Sequence, residues 1–478
     1  MAERIVMRAG VMSLLALIAL LWSFAAAAAE PLPSAVVKAF QEVDIPLNAV
    51  GIYVRELNTA EAALAHRADQ AMNPASVMKL VTSYAALELL GPGYTWKTEA
   101  YASVNGEGGT GDVTLKGYGD PSLTLEDFWL VLRALKQRGV RAIRGDLVLD
   151  QSYFEAPNSD PNGFDNQGYR AYNTHPHALL VSFKAVSVRF IPMPNGALRL
   201  ALDPELPQIK LKSQIVMKPG PCPNDWRDSI SKDVQNGPKS ALIELKGSFY
   251  ADCGEKSMQF NLLANPDFIA AVFKQLWLDM GGTWSGRVRE GTALEGERPL
   301  LSWESRALPE ALRDMNKWSN NVMARAVLLT IGAERFGPPG TPAKGAQAIA
   351  HFLSSKGLEI PELTIENGAG LSRKERISAK SLGDLLVSAG NSAVMPEFIA
   401  SLPIAGVDGT MKKRLKNNEI IGKAHIKTGT LEGVKTIAGY VLARSGKWVA
   451  VVCLINHANA GGGDVAQDAL LQWTYQKY

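Results

Sequence analysis

The chain has 478 residues, 46% of them hydrophobic and 20% charged, a composition that excludes a disordered protein and a bundle of membrane helices. Its length favours two or three domains over a single core. Fifty basic residues against 47 acidic ones leave a net charge of +3 with no long basic run, which argues against a nucleic-acid partner.

The first thirty residues stand apart. Arg4 and Arg8 give a positive start, a Leu-rich apolar run covers 11–24, and Ala25 to Ala29 precede Glu30. That order predicts a secretory signal peptide over 1–29. The alternative is a retained anchor, although the apolar run falls short of the roughly 20 residues a spanning helix needs. No later segment has transmembrane character.

Alternation over 50–57, a turn, and a return over 62–66 predict a β-hairpin. Asn73-Pro74-Ala75-Ser76 then opens a helical run through Met78, Val81, Ala85, Leu87 and Leu90, which stops at Gly91-Pro92-Gly93. From 94 to 290 the texture changes to short alternating segments rich in Gly and Pro, with 128–139 and 265–280 the main helical candidates. Cys222 and Cys253 sit there in polar, loop-like settings. Export permits disulfides, so a Cys222–Cys253 bridge with Cys453 free is expected, though spacing alone also admits three reduced thiols. His175-Pro176-His177 reads as a loop, and no Cys/His cluster has zinc spacing.

Helical patterns return at 308–317, 320–331, 343–356 and 379–388. Strands follow at 425–430, 434–443 and 448–456, with a turn at Arg444-Ser445-Gly446-Lys447 and a closing helix over 465–475. The front hairpin and the three late strands can share one antiparallel sheet. Residues 30–93 and 291–478 then form one domain, and 94–290 is an insertion of one or two mostly β domains.

Three short motifs carry chemistry. In Ser76-Val77-Met78-Lys79, helical spacing puts the lysine on the face of the serine. A hydroxyl needs a base to become nucleophilic, and a lysine serves only if burial or positive neighbours lower its pKa. The motif alone is weak: an N-cap serine followed by a surface lysine reads the same, and Ser229-Ile230-Ser231-Lys232 repeats it in a polar stretch. Ser319-Asn320-Asn321 offers a second hydroxyl near Lys79 for proton relay and an amide suited to a peptide backbone, with helix capping as the plain alternative. Ser103-Val104-Asn105 repeats this pattern in a turn-rich region. Lys427-Thr428-Gly429-Thr430, on a strand, offers a cation and hydroxyl for a carboxylate and a glycine that lets another backbone approach. Thr430 N–H with Ser76 N–H can make an oxyanion hole. An exposed edge-strand lysine with a bulge glycine is the alternative.

In this order and these contexts, the three motifs resemble those of β-lactamases and penicillin-binding proteins. The long interval between Ser76 and Ser319, about half the chain, resembles the type-4 low-molecular-mass penicillin-binding proteins, the D-alanyl-D-alanine carboxypeptidase/endopeptidase family. Tyr118-Gly119-Asp120-Pro121-Ser122-Leu123, Ile143-Arg144-Gly145-Asp146-Leu147-Val148 and Asn367-Gly368-Ala369-Gly370-Leu371-Ser372-Arg373 also fit, except that Asn367 and Ala369 replace the Asp and Ser of the family pattern. The resemblance implies an α+β fold: a transpeptidase-like domain with a five-stranded antiparallel sheet flanked by helices, carrying large mostly β insertions. It implies a periplasmic enzyme that needs no metal or cofactor, acts on peptidoglycan stem peptides and cross-links, and is acylated by β-lactams. Ser76, Lys79 and Ser319 would be catalytic; Asn321, Lys427, Thr428 and Gly429 would bind substrate; Ser76 and Thr430 would give the oxyanion hole. A β-lactamase or esterase on the same fold, or a silent peptidoglycan-binding protein, are the rival readings.

Overall fold

The computed structural model describes residues 31–157, 160–294 and 296–478; the predicted signal peptide lies outside the described residues. Both ends of the described chain build one sheet. Its strands are β1 (Val50–Glu56), β2 (Leu64–His66), β3 (Ala424–Leu431), β4 (Val434–Leu442) and β5 (Trp448–Asn456), in the order β3-β4-β5-β1-β2. Every neighbouring pair is antiparallel. The fold is therefore the α+β arrangement expected.

Alternation along these strands feeds two cores. Tyr53, Ala438, Tyr440, Val452 and Leu454 face one set of helices. Ile52, Val54, Ile437, Val451 and Cys453 face the other, which includes Ser34–Gln41 and Asp464–Lys477. Because both faces are covered, β5 reads as a continuous apolar run. The first core packs on helices α1 (Met78–Leu90), α2 (Leu308–Lys317), α3 (Asn321–Phe336) and α4 (Ala379–Gly390). Helix α1 is buried all round over its first ten residues, so it runs through the middle of this layer and carries its first turn to the edge of β3.

The intervening segment has its own core and is mostly β, with helices Leu125–Gln137 and Asn265–Asp279. One of its sheets extends past residue 290: Leu301–Glu304 pairs with Lys97–Tyr101, so that sheet closes beyond the boundary drawn from the sequence. Among the described residues no helix is long and apolar enough to cross a membrane. Cys222 and Cys253 are joined as a disulfide, and Cys453 is a buried free thiol in the sheet. Non-reducing peptide mapping of the protein should recover the Cys222 and Cys253 peptides linked; finding both thiols free would contradict the pairing.

Candidate active site

Ser76 lies in a single 3-10 turn, Ala75–Val77, that leads directly into α1. Ala75 has φ of 45°, a left-handed conformation that costs a side-chain-bearing residue energy and persists only where its surroundings enforce it. The enforcement is visible. Asn73 Oδ1 accepts from Ala75 N–H (2.9 Å) while Asn73 Nδ2 donates to Ser372 O (2.8 Å). Thr436 Oγ1, on β4, donates to Pro74 O (2.7 Å). Gly429 on β3 passes so near that a Cβ there would sit 2.3 Å from Thr436 Oγ1 and 2.8 Å from Ser76 N. The third motif's glycine thus lets the strand lie against the serine turn.

Lys79 is fully buried. Its Nζ lies 3.1 Å from Ser76 Oγ and donates to Asn321 Oδ1 (2.7 Å) and to the Ala369 carbonyl. Burial, then the nearby Lys427 charge, hold its pKa well below the ordinary lysine value; Glu375 opposes this and Arg325 adds to it. Both conditions set by the sequence for a lysine base, burial and positive neighbours, are present together.

Ser319 joins α2 to α3 with φ of 56°, a second left-handed serine turn. Helix α3 is capped by Asn320, whose Oδ1 accepts from Met323 N–H (3.1 Å), leaving Ser319 and Asn321 to point elsewhere. Ser319 Oγ accepts from Lys427 Nζ (2.8 Å), so the second motif meets the third through its serine and the first through its asparagine. Lys427 is also fully buried; burial lowers its pKa to about 7, and it donates to Thr428 O (2.7 Å). Thr428 Oγ1 hydrogen-bonds Thr410 Oγ1 (2.7 Å). A cavity of about 440 Å³ opens beside Ser319 and Asn321, bounded across from them by Tyr172 and Phe183 of the inserted segment.

The two motif repeats fall elsewhere. Ser229 ends a short turn and Lys232 lies on strand Ile230–Asn236 of the insertion, so no helical face joins them. Asn105 closes a turn onto Gly109 N–H (2.8 Å). His177 is half-buried, and desolvation, helped by Lys184 and His175, lowers its pKa to about 3. Sequence reading missed three groups at the site: the Ala369 carbonyl, Thr410, and the Lys317–Asp408 ion pair (2.6 Å) next to Ser319. A backbone carbonyl has no sequence signal. Lys317, a charged residue closing an otherwise amphipathic helix, reads as surface.

A serine turn, a buried lysine behind it and a lysine-bearing edge strand of the five-stranded sheet are the arrangement a serine acyl-transfer enzyme requires. The D-Ala-D-Ala carboxypeptidase 3 (S13) family profile matches residues 32–477, and the chain belongs to that family, making it a serine-type D-Ala-D-Ala carboxypeptidase. It is 29% identical over 439 residues (88% of this chain, 80% of the other) to a D-alanyl-D-alanine carboxypeptidase of an Actinomadura species. It is 23% identical over 419 residues (86% of each) to the carboxypeptidase DacB of Haemophilus influenzae. The crystal structure of penicillin-binding protein 4 from Haemophilus influenzae superposes with a TM-score of 0.76 at 22% identity, covering 92% of this chain and 99% of that one. A predatory peptidoglycan endopeptidase from Bdellovibrio bacteriovorus gives 0.52 at 14% identity, covering 88% and 90%.

The Gly429 contact can be tested alone. Gly429→Ala should push β3 from the serine turn, lowering stability by about 1–3 kcal/mol as overpacking does and abolishing most penicillin acylation. A variant that melts and acylates like the parent would contradict the close approach.

Proposed function

We propose that Ser76 is the nucleophile and Lys79 its base in hydrolysis of peptidoglycan stem peptides ending in D-Ala-D-Ala. The observation that carries this reading is the buried Lys79 amine 3.1 Å from Ser76 Oγ. In its neutral form that amine takes the hydroxyl proton as Ser76 Oγ attacks the penultimate carbonyl. The oxyanion rests on the Ser76 and Thr430 backbone N–H groups. Asn321 holds the substrate backbone, and Lys427 with Thr428 grips the terminal carboxylate. Ser319 and Lys79 return the proton to the leaving D-Ala, and water then hydrolyses the acyl-enzyme. The same chemistry serves D,D-cross-links, so endopeptidase activity belongs to the reading. So does acylation by β-lactams: the similar Haemophilus protein has also been solved with a β-lactam bound.

The enzyme acts outside the cytoplasm, in the periplasm, after removal of residues 1–29; the Cys222–Cys253 bridge suits an oxidising compartment. The catalytic unit comprises residues 30–93 and the chain beyond the insertion.

Intact mass after incubation with a penicillin should show one adduct on the parent and on Ser229→Ala, and none on Ser76→Ala. Adduct on Ser76→Ala would overturn the assignment. The carboxylate anchor is worth about 1.5–3 kcal/mol, so Lys427→Ala should cost roughly ten- to a hundredfold in kcat/KM on a free-acid peptide and much less on its amide. Since Lys427 loses its proton near pH 7 in the free enzyme, the parent's preference for acid over amide should weaken as the pH rises above that value. Equal losses on both substrates, or a preference that grows with pH, would remove Lys427 from this role.

A further inference from the structure

Behind Lys79 lies a buried carboxylate that none of the three motifs contains. Glu375 is 0% exposed. Its Oε1 accepts from the backbone N–H groups of Glu366 (3.0 Å), Asn367 (2.9 Å) and Gly368 (3.0 Å). Converging backbone donors are what hold an ionised carboxylate inside a protein against the cost of burial. On balance burial raises the Glu375 pKa above the ordinary carboxylate value, against the downward pull of these three donors and the nearby Lys79.

The segment so gathered is the one that touches the base. The residue after Gly368 is Ala369, whose carbonyl takes the Lys79 amine. Gly368 O accepts from Thr82 Oγ1 (2.7 Å), one turn along α1 from Lys79. Gly370 has φ of 81°, and a Cβ there would lie 1.9 Å from Ala75 O, so the loop is wedged against the nucleophile turn. Asn367 stands where the family pattern has Asp; its amide closes the loop on itself, donating to Leu371 O (2.9 Å) and accepting from Ala369 N–H (2.9 Å). The buried carboxylate of this loop is Glu375 instead.

We propose that Glu375 is the positioning residue for the base: its carboxylate fixes the 366–369 loop so that the Ala369 carbonyl holds Lys79 beside Ser76, and it sets a negative charge behind that amine. The inference rests on the reading of Ser76 and Lys79 given above. The charged groups that act on Lys79 are Lys427 on β3, Arg325 on α3 and Glu375 itself; the two cations favour loss of its proton and Glu375 favours its retention. Arg325 in turn feels both Glu375 and Glu366.

Glu375→Gln keeps the shape and removes the charge, so Lys79 gives up its proton more readily. The acid limb of the rate of penicillin acylation should move to lower pH. The plateau should fall roughly tenfold, part of the roughly 10²–10⁴-fold that general-base catalysis supplies, because the base is weaker and less firmly held. A purely structural role would lower the melting temperature and the fraction of active protein with the acid limb unmoved, and that result overturns the proposal. Should the variant not fold, difference infrared spectroscopy on the unaltered protein decides: an ionised buried carboxylate across the active pH range supports the proposal, and a buried carboxyl that stays protonated there overturns it. A parent enzyme not acylated at Ser76 would defeat the reading of the site instead; a parent acylated at Ser76 with an unmoved limb in the variant defeats only the role of Glu375.

Discussion

Everything at the site depends on keeping an amine dry. Lys79 is enclosed by the apolar helix that carries it, and an ammonium there has lost its water without gaining a carboxylate partner at hydrogen-bond distance; the groups it touches are a hydroxyl, an amide oxygen and a peptide carbonyl. Removing charge from water is costly, and the cheapest response of a lysine is to release its proton. The second buried lysine, Lys427, adds repulsion to desolvation. Two lysines enclosed together make a site short of negative charge, which is where a substrate carboxylate and a developing oxyanion are stabilised most.

That arrangement demands rigid scaffolding. At the site two residues, Ala75 before Ser76 and Ser319 itself, hold left-handed backbone without being glycine, and such strain survives only when neighbours over-determine it. Asn73, Thr436 and Gly429 do this for the first turn. For the second, the buried Lys317 pairs with Asp408, whose Oδ1 also accepts from Ile404 N–H (2.8 Å). The next residues lead to Thr410 and so to Thr428. The sheet contributes by being covered on both faces, so β3 cannot drift from the serine turn without exposing apolar surface.

Regular elements were legible in the sequence where periodicity was strong. The helix over 308–317 and the strand over 448–456 match Leu308–Lys317 and Trp448–Asn456. Ser34–Gln41 and Met395–Ala400 were not singled out, being too short to show a repeating apolar face. The side chains of the three motifs were legible because the chemistry expected of them requires those residue types at those spacings. What supports them was not. Ala369 acts through its carbonyl, which every residue has, and Glu375 gains its place from a loop path set by positive-φ glycines at 368 and 370. The disulfide was anticipated from loop context and export, while its alternatives differed only in three-dimensional proximity, which spacing does not encode.

The central claim is that Lys79 is a neutral amine at working pH. NMR titration of the lysine side chains in the folded, unliganded enzyme measures this directly, with Lys79→Met and Lys427→Met spectra assigning these two groups. The account predicts that Lys79 titrates well below the ordinary lysine value of about 10.4, with the Lys427 signal also displaced downward. A Lys79 signal that titrates with the surface lysines would contradict it, and with it the assignment of Lys79 as the base.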